Sequence, residues 1–181
     1  MAEHAVTLRY AESGLAKWQF RQAIQPGRAE IVDTPEWWVR ERWFMGAVSL
    51  RAGSSSYDYP NCPMLDFGMS LNFAIFGAVS RGASEMQPSG ATKIKLATAE
   101  SSMAISRPGS EHVDFIDLVA LLRELVMFMR SVLDESTKLM TELLINDNVE
   151  RLYREWGVRE LGEDQFRRHA ESVKVRNRLR I

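Results

Sequence analysis

Trp37-Trp38 followed by Trp43-Phe44, with Arg40 and Arg42 set among them, is the densest group of side chains in this sequence that could recognise something. Aromatics interleaved with arginine stack on nucleic-acid bases. The plainer reading is an element that donates its Trp side chains to a core, because Trp is usually mostly buried. If the segment is a strand, neighbours face opposite sides, so at least one of Trp37 and Trp38 is expected at the surface. The segment Ser54-Ser55-Ser56-Tyr57-Asp58-Tyr59 has a second kind of recognition chemistry. Tyr offers contact area at low entropic cost, and Ser offers adaptable hydrogen bonds. Trp37, Trp38, Tyr57, Asp58 and Tyr59 are therefore the candidate partner-binding residues, against the plainer alternative of an exposed loop beside a core element.

Catalytic and metal chemistry is thinly represented. His4, His112 and His169 are far apart in sequence. The best cluster is Glu111-His112-x-Asp114, ahead of an apolar run where acids are favoured by a helix dipole anyway. Capping is the expected role there, with a metal or catalytic role as the alternative. Cys62 is the single cysteine. It lies between Asn61 and Pro63 in what reads as a polar loop, and nothing places a base beside it. The glycines never form GxGxxG, GxxxxGK[ST] or GxSxG, which disfavours the familiar nucleotide-binding enzymes and the hydrolase elbow. No catalytic residue, metal or cofactor is assigned.

Charge is divided unevenly. Residues 166–181 carry six basic side chains against one acid, whereas residues 1–165 carry 17 basic and 23 acidic side chains. The tail residues Lys174, Arg176, Arg178 and Arg180 are the candidates for nucleic acid or another anionic surface. The same tail could fold back on the acidic body. A lone cysteine excludes an intramolecular disulfide and favours a reducing compartment. MAEHAVTLRYAESG reads as no signal peptide. The richest apolar run, 115–133, is broken by Asp117, Arg123, Glu124 and Arg130, so no membrane span is expected. A cytoplasmic protein is the expectation, as monomer or homodimer.

The elements that would position these residues begin with strands. Ala5–Tyr10 alternates around Val6, Leu8 and Tyr10. Lys17–Ile24 alternates likewise, and Ala29–Val32 is a short strand candidate. Trp37–Ala52 is the longest strand candidate, with a bend near Arg40-Glu41-Arg42 and a short helix over 36–43 as the competing reading. Turn formers make 53–63 a loop. Met64–Val79 reads as a buried helix with Leu65, Met69, Phe73 and Phe76 in register, although Gly68 and Gly77 weaken it. Residues 80–91 read as a polar loop. Lys93–Ala97 and Met103–Ser106 follow as a hairpin turning at Glu100-Ser101-Ser102, closed by Arg107-Pro108-Gly109-Ser110.

From Phe115 apolar residues recur at 115, 118, 122, 125, 129, 132, 139 and 143, with a second row at 119, 126, 133 and 140. This predicts an amphipathic helix of roughly 45 Å over 114–145, opening on an imperfect capping box at Asp114 and Asp117. That length leaves open whether the helix is continuous or kinked near Glu135-Ser136-Thr137. Asp117, Arg123, Glu124 and Arg130 fall on its polar side. The stripe is too wide for a bare coiled-coil seam, so it should face a core. Asn146 offers an N-cap for a helix over Val149–Trp156, with Arg151 and Glu155 as an i,i+4 pair. A last helix is expected over Glu163–Val175. The fold class is α+β: an antiparallel sheet from the N-terminal half packed against a long amphipathic helix, with smaller C-terminal helices. Residues 1–165 form one domain, and 166–181 its basic end and tail.

The order of strands, an apolar helix (MLDFGMSLNFAIFGAV), a short hairpin and a long helix opening DFIDLVALLRELV resembles small immunity proteins of bacterial polymorphic toxin systems. The likeness is one of pattern and covers most of the chain. It implies a non-enzymatic inhibitor that binds one toxin domain and occludes its active site, so the implied partner is another protein. No family site residues transfer, because no diagnostic motif matches. The rival classes are a nucleic-acid-associated protein using Trp37, Trp38 and the tail, and a small ligand-binding protein or enzyme with a pocket between sheet and helix.

Overall fold

Alternation builds the first layer. Val6 and Leu8 in β1 (Val6–Glu12) turn inward while Arg9 faces solvent, and β2 (Met45–Ala52) follows the same period with Val48, Leu50 and Ala52 buried. Among the described residues, β3 (Ser55–Pro63) joins them in a three-stranded antiparallel sheet in the order β1-β2-β3. The computed structural model describes residues 5–12, 34–88, 92–139 and 146–156. The strand candidates at 17–24 and 29–32, the helix over 163–175 and the tail from Lys174 lie outside the described residues.

β3 corrects the reading of 53–63 as a loop. Tyr57, Tyr59 and Cys62 are its inward residues and pair with Leu50, Val48 and Gly46. Among the turn formers, Asp58 faces outward, and Pro60 and Asn61 fall in its irregularity. Pro60 and Asn61 together stand opposite Ala47, a bulge that accommodates a proline within the ladder. The bulge also explains the change of spacing from two residues between the tyrosines to three before Cys62.

β4 (Ala83–Met86), β5 (Ile94–Ala99), β6 (Ser102–Ser106) and β7 (Val113–Asp117) form a second antiparallel sheet in sequential order. The β5–β6 hairpin lies where the sequence places it, turning at Glu100 in left-handed backbone. β4 corrects the reading of 80–91 as loop throughout. The N-terminal sheet is thus joined by a second sheet, and the α+β class stands.

α1 (Glu36–Trp38) runs directly into a π-helical turn, Val39–Trp43, so the helical reading of 36–43 replaces the strand reading there and only 45–52 is extended. α2 (Met64–Arg81) is helical as expected, but its buried row is Leu65, Gly68, Leu71, Ile75 and Val79. The predicted row fails at Phe73, which is exposed. α3 (Leu118–Leu139) begins one turn later than its apolar pattern suggests. Asp114 and Ile116 are buried and Phe115 exposed, which is the period of a strand, and the Asp117 carboxylate caps the helix by accepting from the Ala120 N–H at 2.7 Å. α3 is unbroken through Ser136 to Leu139; its expected continuation at 140 and 143 lies outside the described residues.

α2 packs against β2 and β3 of one sheet and β4 and β5 of the other, while α3 packs against α2, β1 and β7. The two helices meet at Gly68. A Cβ there would overlap the sulfur of the buried Met129. The glycine that lowers helix propensity is therefore what lets the helices approach. α4 (Asp147–Glu155) closes the core with Val149, Leu152 and the adjoining Trp156. Arg130, placed by periodicity on the polar side of α3, is buried, and its Nε donates to the Trp156 carbonyl at 2.6 Å.

Candidate functional site

The π turn fixes which aromatics reach solvent. Val39, Trp43 and Phe44 enter the core, leaving Trp37 and Trp38 at 55% and 41% exposure. The two indoles meet edge-to-face at 5.3 Å between centroids. The Arg42 guanidinium lies over the Trp38 ring at 5.7 Å. Sequence reasoning required at least one exposed Trp; the helical turn exposes both.

This turn is held from three directions. Asn146, fully buried, accepts from the N–H groups of Asn148 and Val149 as the N-cap of α4, and its side-chain amide donates to the Thr34 carbonyl at 3.0 Å. The side-chain amide of Asn148 also donates to Thr34 O, at 3.3 Å. Arg151 of α4 pairs with Glu36, and with Glu155 at 3.5 Å. Arg40 pairs with Asp66 of α2 at 2.8 Å. A cap predicted from sequence for α4 alone thus also fixes the chain entering the Trp pair, a link no local pattern discloses.

The other three candidates separate. The Tyr57 and Tyr59 rings are buried, Tyr59 packing on Phe67 at 5.1 Å. Burial raises the Tyr57 phenol above its usual range and pushes Tyr59 up to about 12. Only Asp58 of the three stands in solvent. The Ser49 hydroxyl, donating at 2.6 Å, and the Ser56 hydroxyl, at 2.9 Å, lower its carboxyl below the ordinary value. The surface reading of this segment therefore reduces to Asp58, well apart in sequence from Trp37 and Trp38.

Glu111-His112-x-Asp114 runs into a strand, with Asp114 inside it, rather than opening a helix, so dipole capping is corrected. Asp114 instead clamps the β2–β3 turn. Its Oδ1 accepts from the Ser54 N–H at 3.0 Å and the Ser54 hydroxyl at 3.2 Å. Gly53 has a φ of +58°, and a Cβ there would meet Asp114 Oδ1 at 2.6 Å, so the turn needs glycine on both counts. Burial pushes the Asp114 carboxyl up, but the Ser55 hydroxyl, the Ser54 donors and His112 outweigh it, and it sits below the usual value. His112 Nε2 lies 3.0 Å from Ser54 Oγ and 3.3 Å from Asp114 Oδ2. A Ser-His-Asp relay uses the two ring nitrogens separately. Here one nitrogen faces both partners, which is the geometry of a clamp.

Cys62 is wholly buried, and burial, with Asp66 nearby, pushes its thiol up to about 12. The loop position read from its neighbours is corrected, and a thiolate nucleophile is disfavoured there. Among the described residues no group of three or more His, Cys, Asp and Glu side chains is placed to hold a metal ion, and no helix is long and apolar enough to cross a membrane. An open groove of about 530 Å³ lies between β1 and α3; its lining includes Leu8, Tyr10 and Glu124, which sequence reasoning placed by periodicity but did not offer as site candidates. Lys174, Arg176, Arg178 and Arg180 lie outside the described residues. Neither the family models, the curated proteins nor the solved structures include a match to this chain.

Proposed function

We propose that this chain is a non-enzymatic binding protein of the immunity type, which occludes a partner toxin domain through a surface centred on Trp37 and Trp38. The observation that carries this reading is the exposure of two adjacent indoles on a turn pinned at Thr34, Glu36 and Arg40. Trp is a frequent source of binding energy at interfaces, and a pre-ordered ring loses little freedom on docking. The acidic excess of residues 1–165 suits a basic partner such as a nuclease toxin, whose approach it would steer. The resemblance in element order supports the same reading, and a cytoplasmic location goes with it. The nucleic-acid reading loses force because Arg40 is paired with Asp66 and Arg42 lies over Trp38.

The test is to mix the protein with the product of the adjacent toxin-like gene. Binding by calorimetry and rescue of growth are expected, both weakened in Trp37→Ala/Trp38→Ala. Absence of binding and of rescue overturns the reading. Salt-sensitive retention on DNA or RNA that the double substitution abolishes would favour the nucleic-acid alternative instead.

A further inference from the structure

The groove between β1 and α3 joins a strand edge to a helix face. Among the described residues β1 is the first strand of its sheet, paired on one side with β2. Its Ala5 carbonyl accepts from Gly53 N–H on the β2 side, while the Leu8 N–H points the other way and donates to Glu124 Oε2 at 3.1 Å. In an antiparallel ladder such directions alternate residue by residue, which turns the peptide groups of Val6 and Leu8 outward. A carboxylate oxygen on α3 thus stands where the carbonyl of a neighbouring strand would stand.

The helix wall is one stripe of α3: Glu124, Met127, Phe128, Ser131 and Glu135. Phe128 meets the Tyr10 ring edge-to-face at 5.7 Å and forms the apolar floor. Met127, at 56% exposure, forms an apolar lip. The two ionisable groups on this wall are both carboxylates, at its two ends, and Arg9 of β1 lines the strand side. From 124 to 135 the helix rises about 16 Å, the length of about five residues of extended chain.

We propose that this groove receives an extended segment of a partner protein carrying alternate basic side chains. The segment adds to the β1 edge, its carbonyl taking the Leu8 N–H in place of Glu124. Glu124 and Glu135 then pair with its cationic side chains, while the exposed Met127 covers their aliphatic stems. Charge complementarity selects this occupant: the two glutamates outnumber Arg9 in the lining, so an acidic segment would set like charges beside both carboxylates, and an uncharged one would leave Glu124 displaced without a partner. The proposal is independent of the Trp37 and Trp38 surface.

The test titrates the full chain with a blocked peptide alternating lysine and valine, followed by amide NMR shifts and by calorimetry. The expected result is binding, with shifts at Leu8 and along 124–135, weakened about fivefold in Glu124→Gln/Glu135→Gln. Glutamine keeps an oxygen for Leu8 N–H and removes only charge, so the fold is retained. A peptide alternating lysine and proline keeps the charge but lacks proline N–H groups, and is expected to bind more weakly. Trp37→Ala/Trp38→Ala should leave this titration unchanged. Absence of binding, equal binding by the double glutamine variant, equal binding of the lysine–proline peptide, or shifts that avoid Leu8 would each overturn the proposal.

Discussion

The Trp37-Trp38 turn and the Tyr57–Tyr59 strand are both short aromatic segments with polar neighbours, yet one faces solvent and the other the core. The difference lies in the backbone. On β3 the period of two gives both tyrosines the same side, and that side faces Phe67. On α1 and the π turn, Val39 and Trp43 take the inward positions, so the residues just before them are carried outward. Aromatic content therefore marks both segments as important, and only the local period says which is packing and which is available to a partner.

Substitutions can break this comparison, beginning with the largest effect. Tyr59→Ala should lose about 3–5 kcal/mol in denaturant unfolding, as truncation of a large buried aromatic does. A loss near zero would show that β3 is not a core strand. Gly68→Ala should cost about 1–3 kcal/mol by forcing α2 away from Met129; a stabilised variant would contradict the close helix approach.

Asp114 gives a smaller effect with a defined pH sign. Its folded carboxyl lies below the ordinary value of 3.8, so its contribution is present above that value and is lost as pH falls through the folded value. Asp114→Asn should flatten that part of the acid limb of stability measured by thermal unfolding. An acid limb unchanged in the variant would remove the clamp from the account. Cys62 should resist alkylation in the native protein and react on unfolding; rapid native reaction would contradict its burial. The smallest change is expected from Trp37→Ala and Trp38→Ala, each within about 0.5 kcal/mol in stability, because neither ring is part of the core.

Much of the fold was legible because the apolar period was local. β1, α2, the β5–β6 hairpin and the Asn146 cap all follow from neighbours within a few residues. β3 was hidden because Pro60 and Asn61, which signal a loop, occupy a bulge opposite Ala47. The start of α3 was hidden because Phe115 continues the helical spacing by coincidence while belonging to a strand. For the candidate site, Trp37 and Trp38 were legible as residues, but the contacts from Asn146, Arg151 and Asp66 that hold their turn are tertiary. Arg130 shows the same limit: its burial depends on a carbonyl 26 residues away, at Trp156.

The central claim is that the Trp pair binds a partner without supporting the fold. It is tested most directly by calorimetric titration of the proposed partner, the product of a neighbouring toxin-like gene, with the native chain and with Trp37→Ala/Trp38→Ala, alongside their unfolding curves. The account predicts unchanged folding and an affinity lower by about a hundredfold or more, since interface hot spots cost about 2 kcal/mol or more each. Equal affinity for the two chains, with folding intact, would contradict it.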